Sequence, residues 1–236
     1  MQKRIKKINE LLIGFFGIPR RNKKKPDPVD ILIGTILSQN TNDKNSYQAY
    51  RNLKRKYSKW EEVAMLPPSK IEKIIKVAGL GKQKSKAIKN VLKGLMEKNG
   101  RISLKYLNGN DDETTINKLT EFDGVGVKTA SCVLLFSMNR NVCPVDTHVH
   151  RTLNRIGLVN SSSPDKTFTE LFGNIPEGAA HSFHTNLIRL GREICKPSNP
   201  NCEICPIRKI CRYELKNLKV NRIHKKNDFI LLDNIR

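Results

Sequence analysis

The stretch Leu119-Thr120-Glu121-Phe122-Asp123-Gly124-Val125-Gly126-Val127-Lys128-Thr129-Ala130 decides how the chain is read. It predicts two helices joined by a tight hairpin, because its glycines permit positive φ and close backbone approach. Such a turn aims unpaired amides outward. With the N-terminus of the second helix just beyond, Gly124, Val125 and Gly126 form a ready site for a phosphate group. A lone Gly-x-Gly is most often an ordinary turn; here it adjoins Lys128 in strongly basic surroundings.

Outward from the hairpin, apolar spacing stays helical almost throughout, over 29–37, 45–57, 68–77, 84–99, 113–120, 128–138, 147–156, 164–172 and 180–191. Asp27-Pro28 opens one helix and Pro67-Pro68-Ser69 another, while Gly79, Gly100 and Gly157 follow others as C-cap candidates. Strand signals are scarce, so the fold class is all-α. No repeat has solenoid length, although Gly79-Leu80-Gly81-Lys82 resembles the hairpin turn. The run Arg20-Arg21-Asn22-Lys23-Lys24-Lys25 reads as a linker after an N-terminal helix, a solvated charge run with phosphate contact as its second use.

The 236 residues carry 44 Lys and Arg against 22 Asp and Glu, a formal net charge of +22, so the molecule attracts polyanions and nucleic acid is the leading partner. At 38% hydrophobic content the chain folds as one compact unit of one or two domains. No apolar run reaches the length of a membrane span, and the short apolar patch near the N-terminus lacks a small-residue cleavage site. A soluble monomer is expected, without membrane association, cytoplasmic with the nucleoid or nuclear in a eukaryote.

Lys128 falls at the start of the second hairpin helix, where the dipole's positive end and neighbouring cations disfavour protonation and favour a nucleophilic amine. On position alone, a surface lysine touching phosphate is the commoner reading. Eighteen residues on, Asp146 follows a Pro-containing loop and precedes an amphipathic helix in Val145-Asp146-Thr147-His148-Val149-His150. An aspartate there commonly caps the helix. A carboxylate there can also stabilise positive charge developing on a substrate and assist a nucleophile, and both roles can coexist. His148 and His150 read as structural or phosphate-facing residues.

Cys195, Cys202, Cys205 and Cys211 are spaced x6/x2/x5, so four thiolates within 17 residues can close on one metal centre. Zinc is a chemical rival, but the spacing lacks the two Cys-x2-Cys knuckles of common zinc sites, and an iron-sulfur cluster uses the same ligand set. A cluster with all four ligands filled is mainly structural. The Lys196 to Asn201 loop and the Arg208-Lys209 pair can face nucleic acid. Cys132 and Cys143 sit alone in apolar sequence.

From about Asp27 to Cys211 the chain resembles the endonuclease III branch of the helix-hairpin-helix DNA glycosylases. The likeness rests on Leu37-Ser38-Gln39-Asn40-Thr41-Asn42-Asp43, on Gly124-Val125-Gly126-Val127-Lys128-Thr129-Ala130, on Val145-Asp146-Thr147-His148-Val149, on Gly191-Arg192 and on the cysteine spacing. It implies two helical lobes flanking a DNA cleft: a six-helix lobe over 24–140, and a second lobe from 1–23 with 141–215 holding a 4Fe-4S cluster. A basic C-terminal tail follows over 216–236, ending in an apolar run without an assigned role. The resemblance also implies flipping of a damaged nucleotide out of duplex DNA. Lys128 matches the family's Schiff-base lysine and Asp146 its catalytic aspartate, which implies a bifunctional glycosylase and abasic-site lyase acting on oxidised pyrimidines.

Three positions depart from the family. Phe122-Asp123 stands where Leu-Pro is frequent, Val127 replaces a common Arg, and the gap-filling Gln aligns with Asn40, beside Gln39. A mismatch or modified-base glycosylase on the same scaffold is therefore the second reading. A non-catalytic DNA-binding iron-sulfur protein is the third, opposed by the presence of both Lys128 and Asp146.

Overall fold

The computed structural model describes residues 1–21 and 25–219 together with Leu232 and Ile235. The centre of the basic linker at 22–24, the tail cations Arg222, Lys225 and Lys226, and Phe229, Ile230 and Leu231 lie outside the described residues. Among the described residues the secondary structure is entirely helical, in keeping with the all-α expectation. The chain forms two compact units, one of Met1–Arg20 with Arg140–Asp228, the other of Arg21–Asn139 with Phe229–Arg236.

The second unit is built around α2 (Pro28–Ser38), whose residues from Val29 to Leu37 are all buried. Asp27 caps it by accepting the Val29 amide at 2.8 Å, and Pro28 occupies the first turn, where a missing N–H costs nothing. A helix apolar on every side must be surrounded. Here α3 (Asp43–Lys56), α6 (Gly81–Asn99) and α8 (Val127–Phe136) pack on it. The apolar C-terminal residues also find their place here, since Leu232 and Ile235 are buried against the bare backbone of Gly34 on α2. A Cβ at Gly34 would collide with the Ile235 side chain.

Around this core lie α4 (Trp60–Ala64), α5 (Pro68–Ile75) and α7 (Asp112–Thr120). The five-residue α4 is too short to show periodicity, and a tertiary anchor holds it. The Trp60 indole donates to buried Asp30 at 2.8 Å, and the Lys54 ammonium sits 3.4 Å from the same carboxylate and over the Trp60 ring. Burial, reinforced by the Asp30 charge, pushes the Tyr50 phenol far above its ordinary range.

In the first unit, α1 (Gln2–Phe16) packs on α11 (Ala180–Arg189), and α9 (Thr147–Ile156) packs on α10 (Pro164–Leu171) and α11. The expected last helix, 180–191, turns π-helical over Leu190–Ile194 and delivers Cys195. Gly191 lies so close to α9 that a Cβ there would come within 2.8 Å of the His148 Cβ. Arg189 secures the N-terminal helix by donating to the Phe16 carbonyl at 3.0 Å and lying over the Phe16 ring. No helix of the described residues is long and apolar enough to cross a membrane.

Candidate active site

The hairpin between α7 and α8 is in the second unit. Gly124 adopts φ +86°, and a Cβ built there would lie 2.6 Å from the Ala87 Cβ of α6, so both its conformation and its surroundings require glycine. Gly126 departs from expectation. Its φ is −92° and a Cβ would meet nothing, so it serves as a bare N-cap that keeps the approach to α8 open. No side chain caps α8, so its first-turn amides have no side-chain acceptor at Gly126. Phe122, in place of the family's usual Leu, is accommodated because Gly94 on α6 has no side chain, and the Lys98 ammonium covers its ring at 5.4 Å.

The hairpin glycine yields a stability prediction. Gly124→Ala is expected to cost about 1–3 kcal/mol from overpacking against Ala87 together with left-handed strain, read as a lower urea midpoint with unchanged helicity.

Lys128 occupies the second position of α8, half-buried, and makes no hydrogen bond or ion pair among the described residues. The amine is thus held by its stem alone. Asp146, in the first unit, caps α9 by accepting the Val149 amide at 2.8 Å, fulfilling its structural reading, and is itself half-buried. His150 bonds to Thr167 at 2.7 Å and His148 lies 3.3 Å from Arg151, so both imidazoles are engaged in packing the first unit. Burial, followed by the neighbouring Arg192 and Arg151 charges, outweighs Asp146 and holds the His148 imidazole below its ordinary pKa.

Gln39 and Asn40 follow α2. The Gln39 amide donates to the Gly124 carbonyl at 3.1 Å, which ties it to the hairpin, while Asn40 is exposed and left-handed at φ +49°. A second strained residue stands beside them: Leu80, at φ +48° and 49% exposed, caps the start of α6. The two turns are adjacent because one buried ammonium joins them. Lys84, only 1% exposed, donates to the Leu37 carbonyl at the end of α2 and to the Ala78 carbonyl before Leu80, both at 2.8 Å. Burial alone pushes this amine down to about 8. Neither Leu80 nor Lys84 was among the residues expected from sequence, although a lysine in line with Ala87, Ile88, Val91 and Leu95 on the buried face of α6 is a visible anomaly.

The four clustered cysteines line one cavity in the first unit, together with Arg155, Ile194, Ile207 and Tyr213. None of the six cysteines is in a disulfide, and Cys132 and Cys143 are buried core residues. Arg155 donates to the Cys195 Sγ at 3.6 Å and to the Lys196 and Pro197 carbonyls, and Arg151 donates to the Cys195 carbonyl at 3.0 Å. Burial pushes the Cys205 thiol up to about 12 and raises Cys195 as well, so thiolates here need a cationic centre to accept their charge. Among the described residues no group of three or more His, Cys, Asp and Glu side chains is placed to hold a single metal ion. Zinc with four thiolates at ~2.3 Å demands close convergence.

Residues 33–177 match the family described as HhH-GPD superfamily base excision DNA repair protein. The chain is 35% identical to the endonuclease III of Thermotoga maritima over 82% of its own length and 86% of that protein's. It is 34% identical to the endonuclease III of Sulfolobus acidocaldarius over 80% and 83% of the two chains. Among solved structures, an endonuclease III in a non-covalent complex with DNA superposes with a TM-score of 0.74 at 25% identity, covering 90% of this chain and 95% of that one.

Proposed function

Because this chain belongs to the HhH-GPD superfamily of base excision DNA repair proteins, we propose that Lys128 and Asp146 carry its glycosylase and abasic-site lyase chemistry, and that its substrates are oxidised pyrimidines in duplex DNA. The chain is a DNA glycosylase and lyase of the endonuclease III kind. The observation that carries the assignment to Lys128 is its amine, unpartnered among the described residues, on the first turn of an uncapped helix directly after the hairpin.

The hairpin amides and the α8 N-terminus bind a backbone phosphate without reading sequence. Asn40 and the apolar Leu80, held in strained turns at the same end of the second unit, enter the space vacated when a nucleotide is turned out of the stack. Lys128 Nζ attacks C1′ of that nucleotide as the bond from C1′ to the base nitrogen breaks, and the base leaves with a proton. Asp146 stabilises the positive charge developing on the sugar and takes the proton that the nitrogen sheds once the neutral amine has bonded to C1′. The nitrogen lone pair then forms the imine as the C1′–O4′ bond breaks, opening the sugar ring and leaving O4′ as a hydroxyl once it takes a proton. Loss of a C2′ proton expels the 3′ phosphate by β-elimination, and water releases the lysine.

Cys195, Cys202, Cys205 and Cys211 would hold a 4Fe-4S cluster, with zinc as the lesser alternative. The support is the donor set, four thiols lining one cavity braced by Arg151 and Arg155. When bound, the cluster cross-links the segments from 195 to 211 and presents the basic loops beside them. Protein purified without air is expected to contain about four irons per chain, with visible absorbance lost in Cys202→Ser. One zinc per chain and no iron would reverse the assignment.

The substrate is tested by borohydride trapping and single-turnover excision on duplexes carrying thymine glycol, dihydrouracil, an abasic site or a G·T mismatch. Trapped adducts with both damaged pyrimidines are the expected result. Excision confined to G·T would move the substrate to mismatched bases.

A further inference from the structure

We propose that Lys84 is a positioning residue for the opening of the duplex: its ammonium clamps the turn carrying Gln39 and Asn40 to the turn carrying Leu80, so that both meet DNA as one rigid edge. The proposal rests on the reading of those turns as the DNA-facing end of the second unit.

Both acceptors of Lys84 belong to turns of this edge, Leu37 immediately before Ser38-Gln39-Asn40 and Ala78 immediately before Gly79-Leu80. Each turn contains a non-glycine residue in the left-handed region, Asn40 and Leu80, a conformation that persists only where the surroundings over-determine it. The Gln39 side chain extends the same network to Gly124, so three segments far apart in sequence are joined by one ammonium and one amide. Gln39 is thereby a bridge within the protein, while Asn40 and Leu80 are the exposed members.

Stability alone gives no reason for a lysine here. Lys84 makes no ion pair among the described residues, and a fully buried ammonium is costly to desolvate even with two carbonyl acceptors. A methionine of similar length would fill the same space on the apolar face of α6 without that cost. The donors do what methionine cannot: they satisfy a carbonyl at the end of α2, where the helix dipole favours a cation, and use it to hold a neighbouring turn.

Lys84→Met in the full chain tests this with two readouts. In the free protein, backbone amides across 37–42 and 77–81 are expected to exchange at least about 10-fold faster, the scale of a lost charged hydrogen bond, with α11 unchanged and Tm at or above that of the wild type. Unchanged exchange in those turns overturns the clamp. On duplexes with 2-aminopurine opposite an abasic site, the wild type is expected to raise fluorescence as the base unstacks, and the variant to give less than about a third of that rise at saturation, given the same scale of loss. A full rise in the variant overturns the link between clamp and opening. No rise with the wild type instead overturns the DNA-facing reading, and the exchange rates then decide the clamp on their own. If Lys84→Met does not fold, Lys84→Gln carries both readouts by the same criteria; failure of both to fold overturns the proposal by making Lys84 a requirement of the fold itself.

Discussion

Borohydride is expected to trap the wild type on abasic-site DNA and to give no adduct with Lys128→Ala, whose strand cleavage should fall by at least about 10³-fold, the scale on which loss of a nucleophile acts. The fold should be indifferent. Lys128 has no hydrogen bond or ion pair among the described residues, so its removal leaves no buried partner stranded, and a change within about 0.5 kcal/mol is expected. Duplex binding should also survive within a few fold, because the hairpin amides and the wider cationic surface supply most of the phosphate attraction. This separation of cleavage from binding is what distinguishes a nucleophile from a phosphate contact. A variant that binds weakly but cleaves at the wild-type rate when saturated would return Lys128 to the second role.

Asp146→Asn is expected to lower single-turnover base excision by about 10²–10⁴-fold, the range of a lost general base or charge-stabilising group. The choice of asparagine matters. Asp146 caps α9 through one carboxylate oxygen on the Val149 amide, and asparagine caps a helix about as well. Loss of charge is thus separated from loss of the cap, and Tm should shift by no more than a few degrees. Asp146→Ala would remove both, adding about 1 kcal/mol of destabilisation and confusing the two effects. Excision by Asp146→Asn at the wild-type rate would leave Asp146 as a cap alone.

The all-helical fold was legible in the sequence because most of its helices are long, amphipathic and bounded by local chemistry: Asp27 and Asp146 as caps, Gly100 and Gly157 as left-handed ends. The boundaries that shifted did so where tertiary contacts took over. Helix α6 begins at Gly81 rather than Lys84, because Leu80 takes a left-handed conformation that no propensity favours in a leucine. Helix α4 was missed, being held by the Trp60–Asp30 bond rather than by its own five residues. The positions of Lys128 and Asp146 could be read since each sits at a helix start marked by local sequence. The joining of the 38–42 and 77–81 turns through Lys84 could not, as its acceptors are backbone carbonyls, which every residue has and no sequence marks. Of the two hairpin glycines, only Gly124 has positive φ, and only there would a Cβ collide with Ala87 on another helix.

The burial of Ile235 beside Gly34 has a consequence for the order in which the protein can be completed. These two residues lie near opposite ends of the polypeptide, with all of the first unit's second segment between them. A ribosome that has made the second unit's helices through α8 has therefore supplied α2 with neighbours on most sides but not with the side chain that fills its notch. The nascent second unit waits, with an apolar strip of its central helix open, for about a hundred further residues to be synthesised, and loop closure over that distance is slow relative to helix pairing. A polypeptide cut after residue 139 should consequently be a poor stand-in for the second unit, and a natural client for chaperones that bind exposed apolar surface.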